Sequence, residues 1–173
     1  WSPSVLALAS PASLKGVLSP LDATAALAVG LRSVGVEATE LPIADGGEGT
    51  ADVLHAVLGG SWRSTVVAGL LGAPVEARWL VLPDRTAVVE SAAAVGLPLL
   101  APGKLDPLAA TSRGLGELLL AAAEGATSLL VGVGGTATVD GGAGLQAVGG
   151  DRLAGVPIRV ACDVRNPLLG ERG

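Results

Sequence analysis

A strand, a helix and a second strand follow one another at the start of the chain, and this order constrains the fold more than any other feature. Residues 4–9 form a short apolar run that stops at Ser10-Pro11, as a buried strand entering a loop would. Ser19 suits a helix N-cap and Pro20 the first helical position, and an apolar stripe runs from there to a stop at Gly35. Residues 36–41 are typical of a second strand. Because such units form parallel sheets, the sequence predicts an α/β fold.

The pattern changes near residue 60. Three strand-like segments follow there, at 62–67, 75–82 and 86–91. In the middle segment apolar residues alternate with Glu76 and Arg78, which favours an antiparallel sheet with one wetter face. A helix over 111–124, a strand over 128–133, a short helix and a last strand over 157–162 complete the chain. We therefore predict a parallel Rossmann-like first part over 1–60 and a second α/β domain over 61–173 with a mixed or antiparallel sheet, which carries a Gly/Asp loop at 132–144.

Composition excludes several classes of function. The 173 residues carry a formal charge of -5, and the Lys and Arg residues form no cluster of the kind that neutralises nucleic-acid phosphates. No apolar run approaches the roughly 18 residues that span a bilayer. No positive segment precedes the apolar start, as a secretory signal requires. A single cysteine, Cys162, fits a reducing compartment. We expect a globular cytoplasmic protein that binds neither nucleic acid nor membrane.

Two loops carry the candidate chemistry. The first reads PIADGGEGT and places Asp45 and Glu48 among glycines directly before a helix. The second reads GVGGTATVDGGAG, follows a strand and contains Asp140. Glycine-rich loops after strands bring backbone N–H groups close to an anion, and a following helix adds its positive end. The pattern therefore indicates phosphate handling.

Phosphoryl transfer requires positioning and neutralisation of charge. One carboxylate holds Mg²⁺ and another orients or deprotonates the attacking hydroxyl, and two loops with aspartates can supply both. The alternative is that Asp-Gly and Gly-Gly steps are only tight turns, which is the commoner meaning of any single one. Repetition over two long loops favours the functional interpretation. Glu90, at the end of a strand, is a further residue that could face the same cleft.

Four segments in order, SPASLKG, PIADGGEGT, VGVGGTATVDGGAG and ACDVRNPLLG, resemble the glycerate kinase family that is unrelated to P-loop enzymes. The resemblance spans essentially the whole chain and corresponds to the N-terminal half of that family. It implies two α/β domains with the active site in the cleft between them. It also implies phosphoryl transfer from ATP to D-glycerate or a related hydroxy acid, with Mg²⁺.

The same resemblance implies roles for particular residues. Asp45, Asp140 and Lys15 are the expected catalytic residues, with Lys15 near phosphate or the glycerate carboxylate, and Asp163 is the expected metal ligand. The expected substrate- and nucleotide-binding residues are Ser13, Gly46, Gly47, Glu48, Gly49, Thr50, Gly134, Gly135, Thr136, Gly141, Gly142 and Asn166.

Departures from the family pattern leave alternatives open. Ala12, Val17 and Val139 stand where the family has polar residues, and Arg165 stands where it has an aspartate. The family also has a longer segment before the ACDV strand. One alternative is a catalytically degenerate member that binds a ligand or a protein. Another is half of a site that a homo-oligomer or a complementing chain would complete.

Overall fold

The computed structural model describes residues 5–14, 17–162, 164–165 and 167–171. Seven strands and five α-helices occur within these residues. The strands are β1 (Leu6–Ala9), β2 (Glu37–Glu40), β3 (Ser61–Ala68), β4 (Pro74–Val81), β5 (Thr86–Glu90), β6 (Ser128–Gly132) and β7 (Ile158–Ala161). The helices are α1 (Pro20–Ser33), α2 (Thr50–Leu58), α3 (Ala92–Val95), α4 (Arg113–Ala123) and α5 (Ala143–Gly149). Short 3-10 turns cover Leu97–Leu99 and Asp151–Leu153.

The first unit is a parallel pair of strands with one helix. β1 and β2 pair with Leu6 opposite Glu37 and Ala9 opposite Glu40. Helix α1 begins as predicted, because the Ser19 side chain accepts a hydrogen bond of 3.1 Å from the Asp22 N–H. Its Ala28 packs with Ala9 and Ala38 on one face of the strand pair. The predicted opening of strand, helix and parallel strand is therefore confirmed.

The second unit is a five-stranded sheet in the order β3-β4-β5-β6-β7. β4 runs antiparallel to both β3 and β5, whereas β6 pairs in parallel with β5 and with β7. The sheet is thus mixed, as the change of pattern near residue 60 predicted. Its parallel strands place their carboxyl ends at the same edge, and the loop after β6 leaves from there.

Helices cover both faces of this sheet. On one face the main core joins Trp79, Val89 and Leu129 of the strands to Leu115 and Leu118 of α4. On the other face Ala51 of α2 packs with Leu80, Leu82 and Val88. The central strands are therefore buried on both faces, which explains the continuous apolar run in β5. The wetter residues Glu76 and Arg78 remain exposed, as the alternation predicted.

Boundaries differ from the predictions by one or two residues at most elements, as fraying ends do. Helix α3 and the two 3-10 turns were not predicted, because these short segments have no periodic pattern of apolar residues. The division at residue 60 stays a prediction, although α2 packs on the five-stranded sheet. Within the part of the chain that the structure describes, no helix is both long and apolar enough to cross a membrane.

Candidate active site

The loop after β2 packs directly on the loop after β6. The Gly134 N–H donates a hydrogen bond of 3.1 Å to the Gly46 carbonyl. A Cβ at Gly132 would lie 2.5 Å from the Gly46 oxygen, and one at Gly134 would lie 2.6 Å from the Gly47 Cα. Only glycine leaves room for two backbones at this separation. The two motifs that were separate in sequence therefore form one structure.

The first loop is held by its own side chains. The Gly46 N–H donates to Thr50 Oγ1 at 3.0 Å, and the Gly47 N–H donates to Asp45 Oδ1 at 2.9 Å. Among the described residues, Asp45 Oδ2 has no hydrogen-bond partner, and the Asp45 side chain is exposed. Oδ1 thus fixes the turn, and Oδ2 is left unengaged among the described residues.

A cavity of about 400 Å³ opens between the loops. Gly47 and Glu48 of the first loop, Gly135 and Thr136 of the second, and Ser13 contribute polar atoms, and Leu97 and Pro98 form an apolar wall. A neighbouring recess of about 320 Å³ is lined by Ser13, Ser19, Glu48 and Asp52, where α1 and α2 begin. Both spaces border Ser13 and Glu48, so they are adjacent.

Glu90 fixes the start of α2 against the five-stranded sheet. Its Oε1 accepts a hydrogen bond of 2.7 Å from the Ala51 N–H, an amide of the first helical turn that has no partner within the helix. Burial is the largest influence on the pKa of Glu90 and raises it above the usual value, against opposing hydrogen bonds from Ala51 and Gly49. Glu90 therefore fixes the start of the helix that follows the Asp45 loop.

Asp140 lies where α4 and α5 begin. Its Oδ2 accepts from the Ser112 N–H and Oγ, both at 2.8 Å, and from the Gly144 N–H at 3.1 Å. Its Oδ1 accepts from the Gly142 N–H at 3.1 Å, and Thr111 Oγ1 lies 3.4 Å from Oδ2. Burial would raise the pKa of Asp140, but the hydrogen bonds from Ser112, Gly144 and Gly142 outweigh it and lower the pKa to about 2.

The structure brings together many but not all of the predicted site residues. Ser13, Gly47, Glu48, Gly135 and Thr136 line one cavity. Gly46, Gly49, Thr50 and Gly134 form the loops behind it. Asp45, Asp140, Gly141 and Gly142 line neither of the two spaces described above, although Asp45 contacts Gly47 of the cavity wall. Lys15, Asp163 and Asn166 lie outside the described residues.

Metal binding has limited support in the described part of the chain. No three or more His, Cys, Asp or Glu side chains there are grouped so that they could hold an ion. Mg²⁺ commonly takes only one or two carboxylates and completes its shell with water and substrate phosphates. Asp45 and Glu48, both exposed in the first loop, are donors of the required type.

Several contributing residues gave little signal in the sequence. Ser112, which is 4% exposed, bonds Asp140 and also accepts from the Leu145 N–H at 3.0 Å. Its place directly before a helix was a cue for capping, but not for a partner 28 residues away. Leu97 and Pro98 belong to a segment that has no periodic pattern, so their place in the cavity wall was not predictable.

Comparisons with known proteins agree with this geometry. The model of the glycerate kinase family matches residues 7–153. The chain is 41% identical to the glycerate 2-kinase of Escherichia coli K12 and 42% identical to the glycerate kinase of Bacillus subtilis 168. Each comparison covers 95% of this chain and 52% of the relative, so the chain spans about half the length of the curated relatives it matches. Both alignments extend over 198 positions, more than the 173 residues here, so the relatives contain segments that this chain lacks.

A solved structure gives the same result. The crystal structure of a candidate glycerate kinase 2 from Salmonella typhimurium LT2 superimposes with a TM-score of 0.76 at 34% identity. The match covers 98% of this chain and 55% of that one. The motifs, the fold and the relatives lead to one conclusion: the chain belongs to the glycerate kinase family.

Proposed function

We propose that the protein transfers the terminal phosphoryl group of ATP to D-glycerate in the cavity between the two glycine-rich loops. The observation that carries the proposal is the packing of Gly46 against Gly132 and Gly134, which sets Glu48 beside Gly135 and Thr136, with Asp45 two residues before Gly47 of the cavity wall. Names of relatives at about 40% identity support the choice of reaction and substrate. A cytoplasmic location, where ATP is available, fits this reaction.

The phosphate side of the cavity is assigned to the second loop. The backbone of Gly135 and the hydroxyl of Thr136 are suited to phosphate oxygens, because glycine leaves its backbone accessible. Lys15 is assigned the neutralisation of phosphate or of the glycerate carboxylate. Asp163 and Asn166, which follow β7 in the sequence, remain candidate polar contacts.

Asp45 is assigned the hydroxyl of glycerate. The Oδ2 atom of Asp45 accepts the proton of the glycerate hydroxyl while the hydroxyl oxygen forms a bond to the terminal phosphorus. The bond between that phosphorus and the oxygen bridging to the next phosphate breaks, and ADP leaves with its electron pair. Mg²⁺, with Asp163 and a loop carboxylate as its proposed ligands, would neutralise the phosphate charge when bound.

The position of phosphorylation follows from a relative. The Escherichia coli protein is named a glycerate 2-kinase, so we propose that the hydroxyl at carbon 2 is the acceptor. A ³¹P NMR spectrum of the product separates the two isomers directly. A signal from 3-phosphoglycerate alone would overturn this part of the proposal.

Replacement of Asp45 tests the whole assignment. The Asp45→Asn variant retains the shape of the turn and an acceptor for the Gly47 N–H but loses the negative oxygen. We expect its kcat to fall by about 10²–10⁴, the usual contribution of general base catalysis. The measurement is product formation from ATP, Mg²⁺ and D-glycerate by the full-length protein.

The matched control is Asp151→Asn, since Asp151 is exposed in a 3-10 turn and lines neither of the two spaces. It should retain the activity of the parent. An Asp45→Asn variant as active as the parent would contradict the proposal. A parent that binds ATP by calorimetry but forms no phosphoglycerate would instead support the ligand-binding alternative, which the exposed Val17 and Val139 favour.

A second candidate is a site completed by further polypeptide, and the first unit of the fold favours it. Leu6 and Leu8 are 67% and 59% exposed on the face of β1 opposite α1. Parallel sheets are normally covered on both faces, and a two-stranded sheet is marginal alone. We propose that a second α/β segment, from a longer chain or from a partner chain, covers this face.

Native mass spectrometry of the protein purified from its host, together with amide hydrogen exchange, tests this candidate. A mass above that of the 173 residues, with slow exchange at Leu6 and Leu8, is expected. A monomer of this chain alone, with rapid exchange in β1, would contradict it.

A further inference from the structure

The carboxylate of Asp140 accepts hydrogen bonds from residues at the starts of two helices. Ser112 supplies its N–H and its hydroxyl, Gly142 and Gly144 supply N–H groups, and the hydroxyl of Thr111 lies at the limit of bonding distance. Two carboxylate oxygens offer about four lone-pair positions. Four of the five donors meet Oδ2 and use all of its accepting capacity, and the fifth, the Gly142 N–H, bonds Oδ1.

These donors belong to the beginnings of two helices. Ser112 is the N-cap of α4, and Gly142 is the N-cap of α5. The first amides of a helix have no partner within the helix, and a negative charge beside them is favourable. Asp140 satisfies amides of both helices at once, so one carboxylate joins the start of α4 to the start of α5.

Ser112 closes the connection into a ring. Its hydroxyl donates to Asp140 and accepts from the Leu145 N–H, so α4 contacts α5 through the serine as well as through the carboxylate. The helices also approach closely beyond this point, since a Cβ at Gly116 would lie 3.0 Å from the Leu145 carbonyl. The junction is thus both hydrogen-bonded and closely packed.

We infer that Asp140 is a positioning residue, which joins α4 to α5 and so fixes the phosphate-side loop, and that the proton acceptor is Asp45. This inference rests on the proposed function. Loss of the negative charge on protonation weakens the hydrogen bonds that a carboxylate accepts, and in Asp140 those bonds join two helices. In Asp45 only the hydrogen bond from the Gly47 N–H would weaken, because Oδ1 alone is engaged among the described residues.

The segment that Asp140 positions is the one that reaches the cavity. At its start the Gly134 N–H bonds Gly46, and in its middle the Ala137 N–H donates to the Val95 carbonyl at 2.9 Å. Asp140 fixes its far end. Thr136 lies between these fixed points and lines the cavity, so a loosened Asp140 should disturb the phosphate contacts before it disturbs the chemistry.

Kinetic constants of two variants test the inference in the full-length protein. In Asp140→Asn the amide oxygen can replace Oδ2, but the amide NH₂ would face the Gly142 N–H. We expect the KM for ATP to rise about ten-fold, with kcat reduced only a few-fold. Ser112→Ala removes the serine link alone, and a rise of about three-fold in the same KM is expected.

The outcomes distinguish three roles. A purely structural role would lower the melting temperature and leave both constants of the folded protein unchanged, which would overturn the inference. A proton-acceptor role would abolish kcat in Asp140→Asn with little change in the KM for ATP, and this would overturn it as well. The expected result is the KM effect, in Asp140→Asn and more weakly in Ser112→Ala.

A measurement independent of activity separates failure of this inference from failure of the proposed function. If the parent forms no phosphoglycerate, amide hydrogen exchange still tests the junction. The amides of Ser112, Gly142 and Gly144 should exchange slowly in the parent and about ten-fold faster in Asp140→Asn. Equal exchange in the two proteins would overturn the inference, whatever the enzyme assay shows.

Discussion

The triplet Asp-Gly-Gly occurs in both loops, at residues 45–47 and 140–142, yet the two aspartates have different surroundings. Asp45 is exposed, and one of its oxygens accepts a hydrogen bond from the N–H of Gly47, two residues further along the chain. Asp140 is partly buried and accepts hydrogen bonds from two helix starts and a serine. Identical local sequence therefore supports a carboxylate with one oxygen engaged in one loop and a carboxylate with both oxygens engaged in the other.

The difference arises from what lies beside each triplet. The Asp45 loop precedes a single helix, whose first amides are served by the side chain of Glu90. The Asp140 loop precedes α5 while α4 also begins next to it, and no other described carboxylate serves these amides. The available aspartate is the one whose supporting role has been taken by another residue.

Among the substitutions considered for the two loops, Gly134→Ala is expected to reduce activity and stability the most. The added Cβ would lie 2.6 Å from the Gly47 Cα and would push the Asp45 loop away from the phosphate-side loop. We expect kcat/KM to fall about 100-fold, as a displacement of about 1 Å can cause, and stability to fall by about 1–3 kcal/mol. Steady-state kinetics and urea denaturation measure the two quantities.

Gly30→Ala is the matched control, because a Cβ at Gly30 in α1 meets nothing within 4 Å. It should retain activity and gain about 0.5–1 kcal/mol of stability from its better helix propensity. If Gly134→Ala behaved like this control, close packing of the loops would be irrelevant to the site.

An intermediate effect is expected from the charge of Asp140. The pKa of about 2 lies below the ordinary 3.8, so the ionised carboxylate favours the folded state above the ordinary value. This stabilisation should be lost as the pH falls from about 5 towards 2. After allowance for solvent screening we expect it to amount to about 1–2 kcal/mol.

Urea denaturation of the parent and of Asp140→Asn at pH 7 and pH 3 measures this contribution. The gap in stability between the two proteins should narrow at the lower pH. A gap that is the same at both pH values would show that the charge of Asp140 does not stabilise the junction.

The smallest effect is expected from Glu90→Gln. The amide oxygen retains an acceptor for the Ala51 N–H, so the start of α2 should stay in place. Since burial raises the pKa of Glu90, its ionisation disfavours the folded state, and stability should fall as the pH rises through that raised pKa. The variant should remove this dependence and gain up to about 1 kcal/mol at pH 7.

Thermal unfolding between pH 4 and pH 8 follows this change, and Glu90→Ala serves as the comparison because it removes the acceptor. If Glu90→Gln lost activity while Glu90→Ala kept it, Glu90 would not act through its hydrogen bond to the Ala51 N–H.

The fold was largely predictable because its signals are local. Ser19 and Pro20 fixed the start of α1, the glycines at 59 and 60 ended α2, and alternation in β4 indicated an antiparallel neighbour. The covering of β5 by helices on both faces was less accessible, since periodicity within a strand does not tell which helix packs on which side. Helix α3 lies among residues whose conformation depends on distant contacts.

The site was predictable as a set of loops but not as a set of roles. Glycine spacing identified both loops, yet their direct contact depends on Gly132 and Gly134 meeting Gly46 and Gly47 across the fold. The engagement of Asp140 depends on Ser112, whose helix packs against α5 only in three dimensions. Side-chain partners separated by many residues set the chemistry, and sequence spacing does not encode them.

The most direct test of the division between the two aspartates is kcat at saturating ATP and D-glycerate for Asp45→Asn and Asp140→Asn, measured on folded protein at one pH. We expect kcat to fall by at least about 100-fold in Asp45→Asn and to remain within about ten-fold of the parent in Asp140→Asn. A kcat for Asp140→Asn as low as that of Asp45→Asn, or lower, would contradict the account.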